Sequence, residues 1–322
     1  MKRIGVLTSG GDAPGMNAAV RAVVRTGIHE GLEVFGIYRG FDGLINNNMR
    51  HLAGHDVSNI IQLGGTILFS ARSEEFRTIE GRKIAFNHLR KNKIDGLVAI
   101  GGDGTFTGAH VFSKEHDIPI VGLPGTIDND LFGTDYTIGY DTAINTAMDA
   151  IDKIKDTANA HDRLFFIEVM GRDAGFIALR SGIATGAEAV LIPESETRID
   201  DLIKLLETNY QNKKTSSIVI VAEGDDAGGA FEVAKKVKSK FDHYDIRVTV
   251  LGHTQRGGRP TCMERVRASK LGYEAVHALL NGHRNEMIGL VNNKVSYTPF
   301  EQSIKHHQTI DKTLLDLVDV LG

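Results

Sequence analysis

Cysteine, tryptophan and proline are scarce in this sequence of 322 residues. Cys262 is the single cysteine, there are 6 prolines, and tryptophan is absent. One cysteine cannot form an intrachain disulfide, which fits a reducing compartment. The sequence also lacks any run of about 18 apolar residues, so we expect no membrane span. The first apolar run is too brief for a signal-peptide core, and we therefore expect a cytoplasmic protein.

A large excess of one charge is missing as well. The formal net charge is −4, which favours neither nucleic acid nor an anionic membrane surface as a partner. An anionic substrate must then be held by local basic clusters. Glycine is abundant, with 36 residues and no low-complexity segment, and this indicates many tight strand-to-helix turns. The length predicts two domains.

Short apolar runs alternate with helical patterns along the chain. Met16–Glu30 and Thr142–Thr157 carry apolar residues at helical spacing, and the tail beyond Lys305 does so weakly. The alternation predicts parallel sheets with helices on both faces and a domain break near Thr137–Tyr140. The predicted strands are Ile4–Thr8, Val34–Tyr38, Leu97–Ile100, Ile118–Leu123, Leu164–Val169, Ala189–Ile192, Ile218–Ala222 and Val248–Leu251.

Two glycine-rich turns join a predicted strand to a predicted helix. In Thr8–Asn17, three glycines permit a tight turn whose amide groups can face an anion at a helix N-terminus. The alternative is a turn that merely needs glycine, since the segment matches neither the Walker pattern nor the dinucleotide fingerprint. In Gly101–Thr105, the carboxylate of Asp103 can reach a metal that bridges phosphates, and Thr105 can cap the helix. The alternative makes Asp103 itself a helix cap.

A third loop, Gly122–Asp130, follows the apolar strand residues Ile118–Val121 and contains two carboxylates. Asp128 and Asp130 are two residues apart and would project to the same side of an extended backbone. One could accept a proton from an attacking hydroxyl while the other orients it. Solvated turn residues are the alternative. Three such loops at successive strand ends make that alternative weak, because ligands of open parallel sheets bind beyond the carboxyl ends of the strands.

Basic residues cluster near several other strand ends. Guanidinium groups match phosphate bidentately, so these arginines suit a phosphorylated sugar, although each alone is a surface arginine by default. Glu223 could accept sugar hydroxyls, and His253 alone would be read as structural. The cluster comprises Arg72, Arg77, Arg82, Arg163, Arg172, Arg247 and Arg256. Arg21 and Arg25 share a helix face, for which a solvated surface is the simpler interpretation.

Taken in order, five motifs resemble the bacterial ATP-dependent 6-phosphofructokinases. They are Thr8–Asn17, Gly101–Thr105, Pro124–Asp130, Glu168–Arg172 and Leu251–Gly258. The resemblance implies two doubly wound, Rossmann-like α/β domains with parallel-rich sheets and the active site in the cleft between the domains. Residues 1–138 plus 252–304 would bind ATP and magnesium, and 139–251 plus 305–322 would bind fructose 6-phosphate. A homotetramer, built as a dimer of dimers, is also implied.

The resemblance further implies roles for single residues. Asp128 would be the general base for the sugar 1-hydroxyl, with Asp130 in support, and Asp103 would bind Mg²⁺. The transferring phosphoryl group would be stabilised by Gly11, Arg72, Thr126 and Arg172. ATP would contact Gly11, Arg72, Ser73, Arg77, Arg82, Gly102, Asp103, Gly104 and Thr105. Fructose 6-phosphate would be held by Thr126, Asp128, Asp130, Arg163, Met170, Gly171, Arg172, Glu223, Arg247, His253 and Arg256. Of these, Arg163 and Arg247 would reach in from a neighbouring subunit.

Two glycines bear on the phosphate donor. Pyrophosphate-using relatives carry aspartate where this chain has Gly104 and lysine where it has Gly125, so glycine at both positions favours ATP. A pyrophosphate-dependent phosphofructokinase, a non-catalytic sugar-phosphate or nucleotide sensor, and a dinucleotide-dependent dehydrogenase are the alternatives. The first is opposed by these glycines, the second by the intact set around Asp128, and the third by the missing fingerprint.

A regulatory site for ADP or phosphoenolpyruvate is implied by the same resemblance. Its residues would be Arg21, Arg25, Lys155, Gly186, Glu188 and Lys214. His55, Asn59, Lys155 and Asn212 depart from the usual tyrosine, aspartate, arginine and basic residue, and Phe41 and Ser73 depart near the nucleotide. We expect an effector site that is present but weakened, because stacking and bidentate anion contacts are lost.

Overall fold

The computed structural model describes residues 1–159, 163–212 and 217–321, and the chain divides into two compact units. Unit 1 contains Met1–Ile127, Leu131–Thr142 and Arg256–Gln308. Unit 2 contains Asp128–Asp130, Ala143–Gln255 and Thr309–Gly322. The resemblance implied domain junctions after residues 138, 251 and 304. The observed junctions each lie four residues later, after Thr142, Gln255 and Gln308. The observed division also assigns Asp128–Asp130 to unit 2.

Unit 1 is built on an eight-stranded sheet of mixed direction. Its strands are β1 (Arg3–Thr8), β2 (Glu33–Ile37), β3 (Met49–Leu52), β4 (Gly96–Gly101), β5 (Ile120–Thr126), β6 (Ile138–Gly139), β11 (Glu286–Val291) and β12 (Lys294–Pro299). The order is β12-β11-β5-β4-β1-β2-β3, with β6 paired to β5. Only β3 and β12 run antiparallel to their neighbours. Consequently β1, β4 and β5 present their carboxyl ends side by side.

Helices cover both faces of this sheet. They are α1 (Met16–His29), α2 (Gly40–Ile45), α3 (Ile79–Asn92), α4 (Asp103–His116), the start of α5 (Tyr140–Asn159), α9 (Cys262–Leu280) and α10 (Phe300–Lys305). Leu7, Leu97 and Ile120 pack with apolar residues of α2, α3, α4 and α10. Neighbouring strand residues such as Val6 and Val98 are equally buried and point the opposite way, towards α1 and α9. Burial on both faces explains why these strands read as continuous apolar runs.

Unit 2 contains a smaller, fully parallel sheet of four strands. They are β7 (Arg163–Val169), β8 (Ala189–Leu191), β9 (Ser217–Ala222) and β10 (Asp245–Val250), in the order β10-β7-β9-β8. The helices are the remainder of α5, α6 (Phe176–Thr185), α7 (Ile199–Gln211), α8 (Ala230–Lys238) and α11 (Lys312–Leu321). Leu164, Leu206, Val219 and Val233 are among the residues of its core.

The prediction of parallel-rich α/β sheets is confirmed, and each of the eight predicted strands is present. The hairpin β11–β12 was missed, although its turn is a recognisable signal. Asn292 and Asn293 both have positive φ, 50° and 62°, as a two-residue hairpin turn of the primed type requires. Within the described ranges, we find no helix with the length and apolar character needed to cross a bilayer.

Candidate active site

Three loops of unit 1 meet beyond the carboxyl ends of β1, β4 and β5. A Cβ atom on Gly101 would lie 2.5 Å from the carbonyl oxygen of Ser9, so a larger residue does not fit there. A Cβ on Gly102 would lie 3.6 Å from the Cβ of Thr126. The loop after β4 therefore contacts the loop after β1 and the end of β5. This is the sheet edge at which open α/β sheets bind ligands.

The loop after β1 forms an uncompensated helix N-terminus. Gly15, with φ 105°, is the N-cap of α1, and neither a capping side chain nor an acidic residue occupies the first turn. The positive end of the helix dipole and its free amide groups suit a phosphate. Arg256 reaches this loop, with its Nη1 3.3 Å from the carbonyl oxygen of Asp12. Arg256, expected to hold the sugar phosphate, thus contacts the loop that contains Gly11 and Asp12.

Asp103 and Thr105 begin α4 with buried oxygen atoms that lack hydrogen-bond partners among the described residues. These atoms are Oδ1 of Asp103 and Oγ1 of Thr105. The N-cap position belongs to Gly102, and no side chain caps the helix. The expectation that Thr105 caps α4 is therefore wrong, because Thr105 lies inside the first turn. The alternative of Asp103 as a cap is excluded for the same reason.

An unsatisfied carboxylate oxygen at the start of α4, next to the glycines of the loop after β4, fits Mg²⁺. Magnesium is held in such sites by one or two carboxylates together with substrate phosphates rather than by a cage of protein ligands. Within the residues that the structure describes, no group of three or more histidine, cysteine or acidic side chains has a metal-binding arrangement. Asp103 is thus a suitable residue to hold the metal of a nucleotide.

The segment after β5 carries Thr126, Asp128 and Asp130. Thr126 and Asp128 are nearly buried, at 9 % and 8 % exposure, and Asp130 is half-buried. Thr137 Oγ1 donates a hydrogen bond of 2.7 Å to the carbonyl oxygen of Thr126 and fixes the end of the strand. The argument that an extended backbone points both carboxylates to one side is wrong, because Asn129 between them has φ 56°. The backbone bends here, so residue spacing does not determine their directions.

Two further expected nucleotide residues, both arginines, are accessible at the surface. Arg72 is exposed, as is Arg77, whose Nη1 lies 3.3 Å from the Glu74 carboxylate. Ser73 accepts the amide of Phe76 at 3.3 Å and so supports the 3₁₀ turn Glu75–Arg77.

Arg82 is buried inside unit 1 with most of its donors engaged. Its Nε and Nη2 donate to the carboxylate of Glu115 at 2.6 and 2.7 Å. Its Nη1 donates to the carbonyl oxygens of Phe76 and Arg77 at 3.0 and 2.7 Å. The hydrogen-bonded pair raises the pKa of Arg82 and lowers that of Glu115. Arg82 therefore holds the turn that presents Arg77.

Gly104 and Gly125 differ in the space around them. A Cβ on Gly104 would meet no atom within 4 Å, whereas one on Gly125 would lie 3.0 Å from both Ile100 Cγ2 and Met16 Cε. The structure therefore has room for a side chain at Gly104. At Gly125 the packing of unit 1 itself resists a lysine.

In unit 2, the loop after β7 is held by carboxylate and amide side chains. Glu223 Oε1 accepts the amide groups of Gly171 and Arg172 at 3.3 and 2.7 Å. Buried Gln255 accepts the amide of Met170 at 3.3 Å through Oε1. Arg172 has φ 57° and an exposed side chain. Glu223 thus shapes the loop in addition to the hydroxyl contacts expected of it.

Arg163 and Arg247 lie side by side at the start of β7 and on β10, and both contact one carboxylate. Asp245 Oδ2 is 3.3 Å from Nε of Arg163 and 2.7 Å from Nη2 of Arg247. The two guanidinium groups are therefore brought together by an acid that sequence reasoning missed. His253, which was also expected to hold the sugar phosphate, is exposed in the 3₁₀ turn Gly252–Arg256.

The expected effector residues are largely engaged in local structure. Arg25 Nη2 is 3.4 Å from the carbonyl oxygen of Gly54. Lys155 Nζ donates to the carbonyl oxygens of Thr185 and Gly186, at 2.6 and 3.4 Å. Glu188 is buried and accepts the amide of Ile218. Arg21 is half-buried, and Lys214 lies outside the described residues.

Sequence reasoning also missed two acids that hold loops, Glu194 at the surface and Glu264 in the interior. Glu194 accepts the amide of Gly175 with both carboxylate oxygens, at 2.8 and 3.1 Å, and burial raises its pKa. Glu264, in the first turn of α9, accepts amides from the start of α5, and burial raises its pKa to about 7. Thr261-x-x-Glu264 is a capping-box pattern, which is the one signal that could have drawn attention to Glu264.

Comparison with known proteins shows that this chain is similar to phosphofructokinases along its length. The family model described as phosphofructokinase matches residues 3–279. The ATP-dependent 6-phosphofructokinase 2 of Bacteroides thetaiotaomicron is 55 % identical over 321 residues, which cover 100 % of this chain and 98 % of the relative. The ATP-dependent 6-phosphofructokinase 1 of Thermus thermophilus is 54 % identical and covered in full.

Solved structures give the same result. Phosphofructokinase from Saccharomyces cerevisiae is similar with a TM-score of 0.90 and 39 % identity over 95 % of this chain. This chain spans 45 % of the yeast chain. A pyrophosphate-dependent phosphofructokinase from Marinobacter aquaeolei has a TM-score of 0.85 at 21 % identity, which shows a common fold alone.

Proposed function

The chain belongs to the phosphofructokinase family, and we propose that it transfers the γ-phosphate of ATP to the 1-hydroxyl of fructose 6-phosphate. The products are fructose 1,6-bisphosphate and ADP. The prediction of a kinase of glycolysis is confirmed at the level of the family and its full-length relatives. The observation that carries the proposed chemistry is the meeting of three loops at the ends of β1, β4 and β5, with an unsatisfied carboxylate oxygen on Asp103.

Unit 1 is proposed to bind the nucleotide. The free amide groups before α1 and the glycines of the loop after β4 bind phosphate oxygens, and Arg72 and Arg77 lie exposed to bind further charge. Asp103 would hold Mg²⁺, which, when bound, neutralises charge on the β- and γ-phosphates. Arg82 supports this side indirectly by holding the turn that contains Arg77.

Asp128 is proposed to be the general base. Its carboxylate accepts the proton of the 1-hydroxyl while that oxygen bonds to the γ-phosphorus and the bond to the β–γ bridging oxygen breaks. Asp128 follows Thr126 by two residues, and the hydrogen bond from Thr137 fixes Thr126. Thr126, Arg72 and Arg172 are proposed to stabilise the transferring group, since the protein contributes mainly position and charge in phosphoryl transfer.

Unit 2 is proposed to bind the sugar phosphate. Arg163 and Arg247 supply paired guanidinium groups for the 6-phosphate, and the loop Met170–Arg172 with Glu223 binds the sugar. In the assembled enzyme, Arg163 and Arg247 serve the site of a neighbouring subunit. A homotetramer, a cytoplasmic location, and a weakened response to ADP and phosphoenolpyruvate complete the proposal.

A coupled assay that measures ADP release tests this function. Purified protein with ATP, Mg²⁺ and fructose 6-phosphate should turn over, and replacement of ATP by pyrophosphate should abolish turnover. Parallel measurements with ADP and with phosphoenolpyruvate should leave sugar saturation nearly unchanged. Turnover with pyrophosphate would assign the chain to the other donor class, and inactivity with both donors would favour a sensor.

A further inference from the structure

Glu264 and Thr142 form a pair of helix caps that are exchanged between two helices. Thr261 is the N-cap of α9 and accepts the amide of Glu264 at 3.1 Å. In an ordinary capping box, the Glu264 carboxylate would accept the Thr261 amide in return. Here the Thr261 amide donates instead to Thr142 Oγ1 at 3.2 Å. The carboxylate is directed to α5.

The redirected carboxylate satisfies the first turn of α5. Glu264 Oε2 lies 3.2 Å from the amide nitrogen and 3.2 Å from the hydroxyl of Thr142, and Glu264 also accepts the amide of Gly139. Each helix therefore receives a cap from the other. Glu264 and Thr142 are 1 % and 3 % exposed, so water does not replace either cap. Buried amide groups that lose their acceptor remain unsatisfied.

The capped segment lies directly against the end of β5. Gly139 is the last residue of β6, where Ile138 pairs with Gly125 and Gly139 pairs with Thr126. Thr137, one residue earlier, donates to the carbonyl oxygen of Thr126. A displacement of Gly139 would therefore be transmitted to Thr126 through the sheet.

The side chain of Glu264 also contacts the loop after β1. A Cβ atom on Gly15 would lie 2.9 Å from Glu264 Cγ and 3.0 Å from Ile138 Cγ2. Gly15, at φ 105°, is the N-cap residue of α1. Glu264 is thus packed beneath two of the three loops.

We infer that Glu264, together with Thr142, is a positioning residue for phosphoryl transfer, which sets the glycine loop before α1 against Thr126. The inference rests on the proposed function, since it assigns these two loops to the transferring phosphate. Neither side chain needs to touch substrate. A displacement of about 1 Å in groups that align reacting atoms can reduce turnover by about 10²-fold.

Four substitutions test the pair. Glu264→Gln keeps the size and removes the charge, and Glu264→Asp keeps the charge and shortens the reach. Thr142→Val removes the hydroxyl at constant size, and Thr142→Ser retains it. Glu232→Gln, an exposed first-turn glutamate of α8, is the matched control.

The first measurement is steady-state kinetics, made well below the unfolding midpoint of each variant. Glu264→Gln and Thr142→Val should lower kcat by about tenfold or more with sugar KM nearly unchanged. Thr142→Ser should restore most of the loss, and Glu232→Gln should behave as the wild type. If folded Glu264→Gln and Thr142→Val keep the wild-type kcat and differ only in thermal stability, the inference is wrong.

The second measurement does not depend on catalysis. Amide hydrogen exchange in 120–127 and 137–142 should accelerate in Glu264→Gln but remain unchanged in the β11–β12 hairpin. Should the wild type fail to turn over ATP and fructose 6-phosphate, the proposed function fails while exchange still tests the positioning. Unchanged exchange in both segments would overturn it, even for variants that do not express well enough for kinetics.

Discussion

The candidate ligand-binding loops of unit 1 and unit 2 differ in how far their polar groups already have partners within the protein. In unit 1, glycine backbone and a bare helix N-terminus form the surface, and oxygens of Asp103 and Thr105 have no partner in the described chain. In unit 2, Glu223 already accepts amide groups and Arg247 donates to Asp245, while Arg163 is ion-paired with the same carboxylate, although its Nε makes no hydrogen bond within the described residues.

This difference indicates which unit would be stabilised more by its proposed ligand. A buried oxygen without a partner costs free energy until a cation or a donor satisfies it, so the unit 1 loops gain most from bound nucleotide and metal. Under the proposed function, a sugar phosphate would compete with Asp245 for the two guanidinium groups of unit 2. Binding there would exchange one anion for another.

The largest effect is expected from a substitution that removes the proposed general base and leaves the other loop contacts of both units intact. Asp128→Ser should lower kcat by at least about 10²-fold with little change in sugar KM, because general-base catalysis acts in the transition state. Steady-state kinetics measures it, with exposed Asp152→Ser on α5 as control. A near-normal kcat would refute Asp128 as the base.

The next largest effect is expected from a substitution at Gly104, which has open space around it. Gly104→Asp should fold normally, because its Cβ meets no atom within 4 Å and an acidic residue suits the first turn of α4. The added carboxylate should lower kcat/KM for ATP by about 10- to 100-fold, since it would lie beside the nucleotide phosphates. Gly54→Asp, also in open space, is the matched control. Unimpaired use of ATP by Gly104→Asp would remove this loop from the phosphate site.

The corresponding effect in unit 2 should appear in KM. Arg163→Ser should raise sugar KM by about tenfold with a smaller change in kcat, because the phosphate contact exists in both ground and transition states. Asp245→Asn should change sugar KM in the opposite direction, since it removes the competing anion. Exposed Arg198→Ser serves as control. An increase in sugar KM for Asp245→Asn would show that the acid orients the arginines and does not compete with the phosphate.

An effect on folding, separate from the effects on turnover, is a pH dependence of stability in unit 1. Burial, together with Asp141 facing it from α5, raises the pKa of Glu264 from 4.5 to about 7, while backbone hydrogen bonds oppose the shift. Arg267 of α9 lies 3.9 Å from Asp141, and the contacts from α1 and β6 carry no charge. A raised folded-state pKa means that Glu264 contributes most stability below pH 4.5 and that this contribution is lost as pH rises through about 7.

Glu264→Gln lacks this titration, so the two stability curves should diverge. Between pH 5 and pH 8, the free energy of unfolding of the wild type should fall by up to about 3 kcal/mol relative to the variant. Denaturant unfolding across this range measures it, with Glu232→Gln as control. Parallel curves for wild type and Glu264→Gln would show that burial does not shift this pKa.

Local sequence determined much of this protein. The apolar runs predicted the eight main strands, because a parallel strand covered on both faces must be apolar throughout. The glycine and acid loops predicted the sheet edge at which we propose that the ligands bind, because chain reversal after a buried strand needs glycine and phosphate binding needs free amide groups. The resemblance carried by those motifs then predicted the family, which the full-length relatives confirm.

Only the tertiary structure decided how side chains far apart in the chain share their hydrogen-bonding capacity. Thr105 was expected to cap its helix, but Gly102 takes the N-cap position. Asp128 and Asp130 were expected to point the same way, but the positive φ of Asn129 bends the backbone. Arg82 pairs with Glu115, and Glu264 caps a helix that begins 124 residues earlier in the chain. Sequence spacing specifies local geometry, whereas the partner across the fold depends on which group the packed core brings within hydrogen-bonding distance of a buried polar atom.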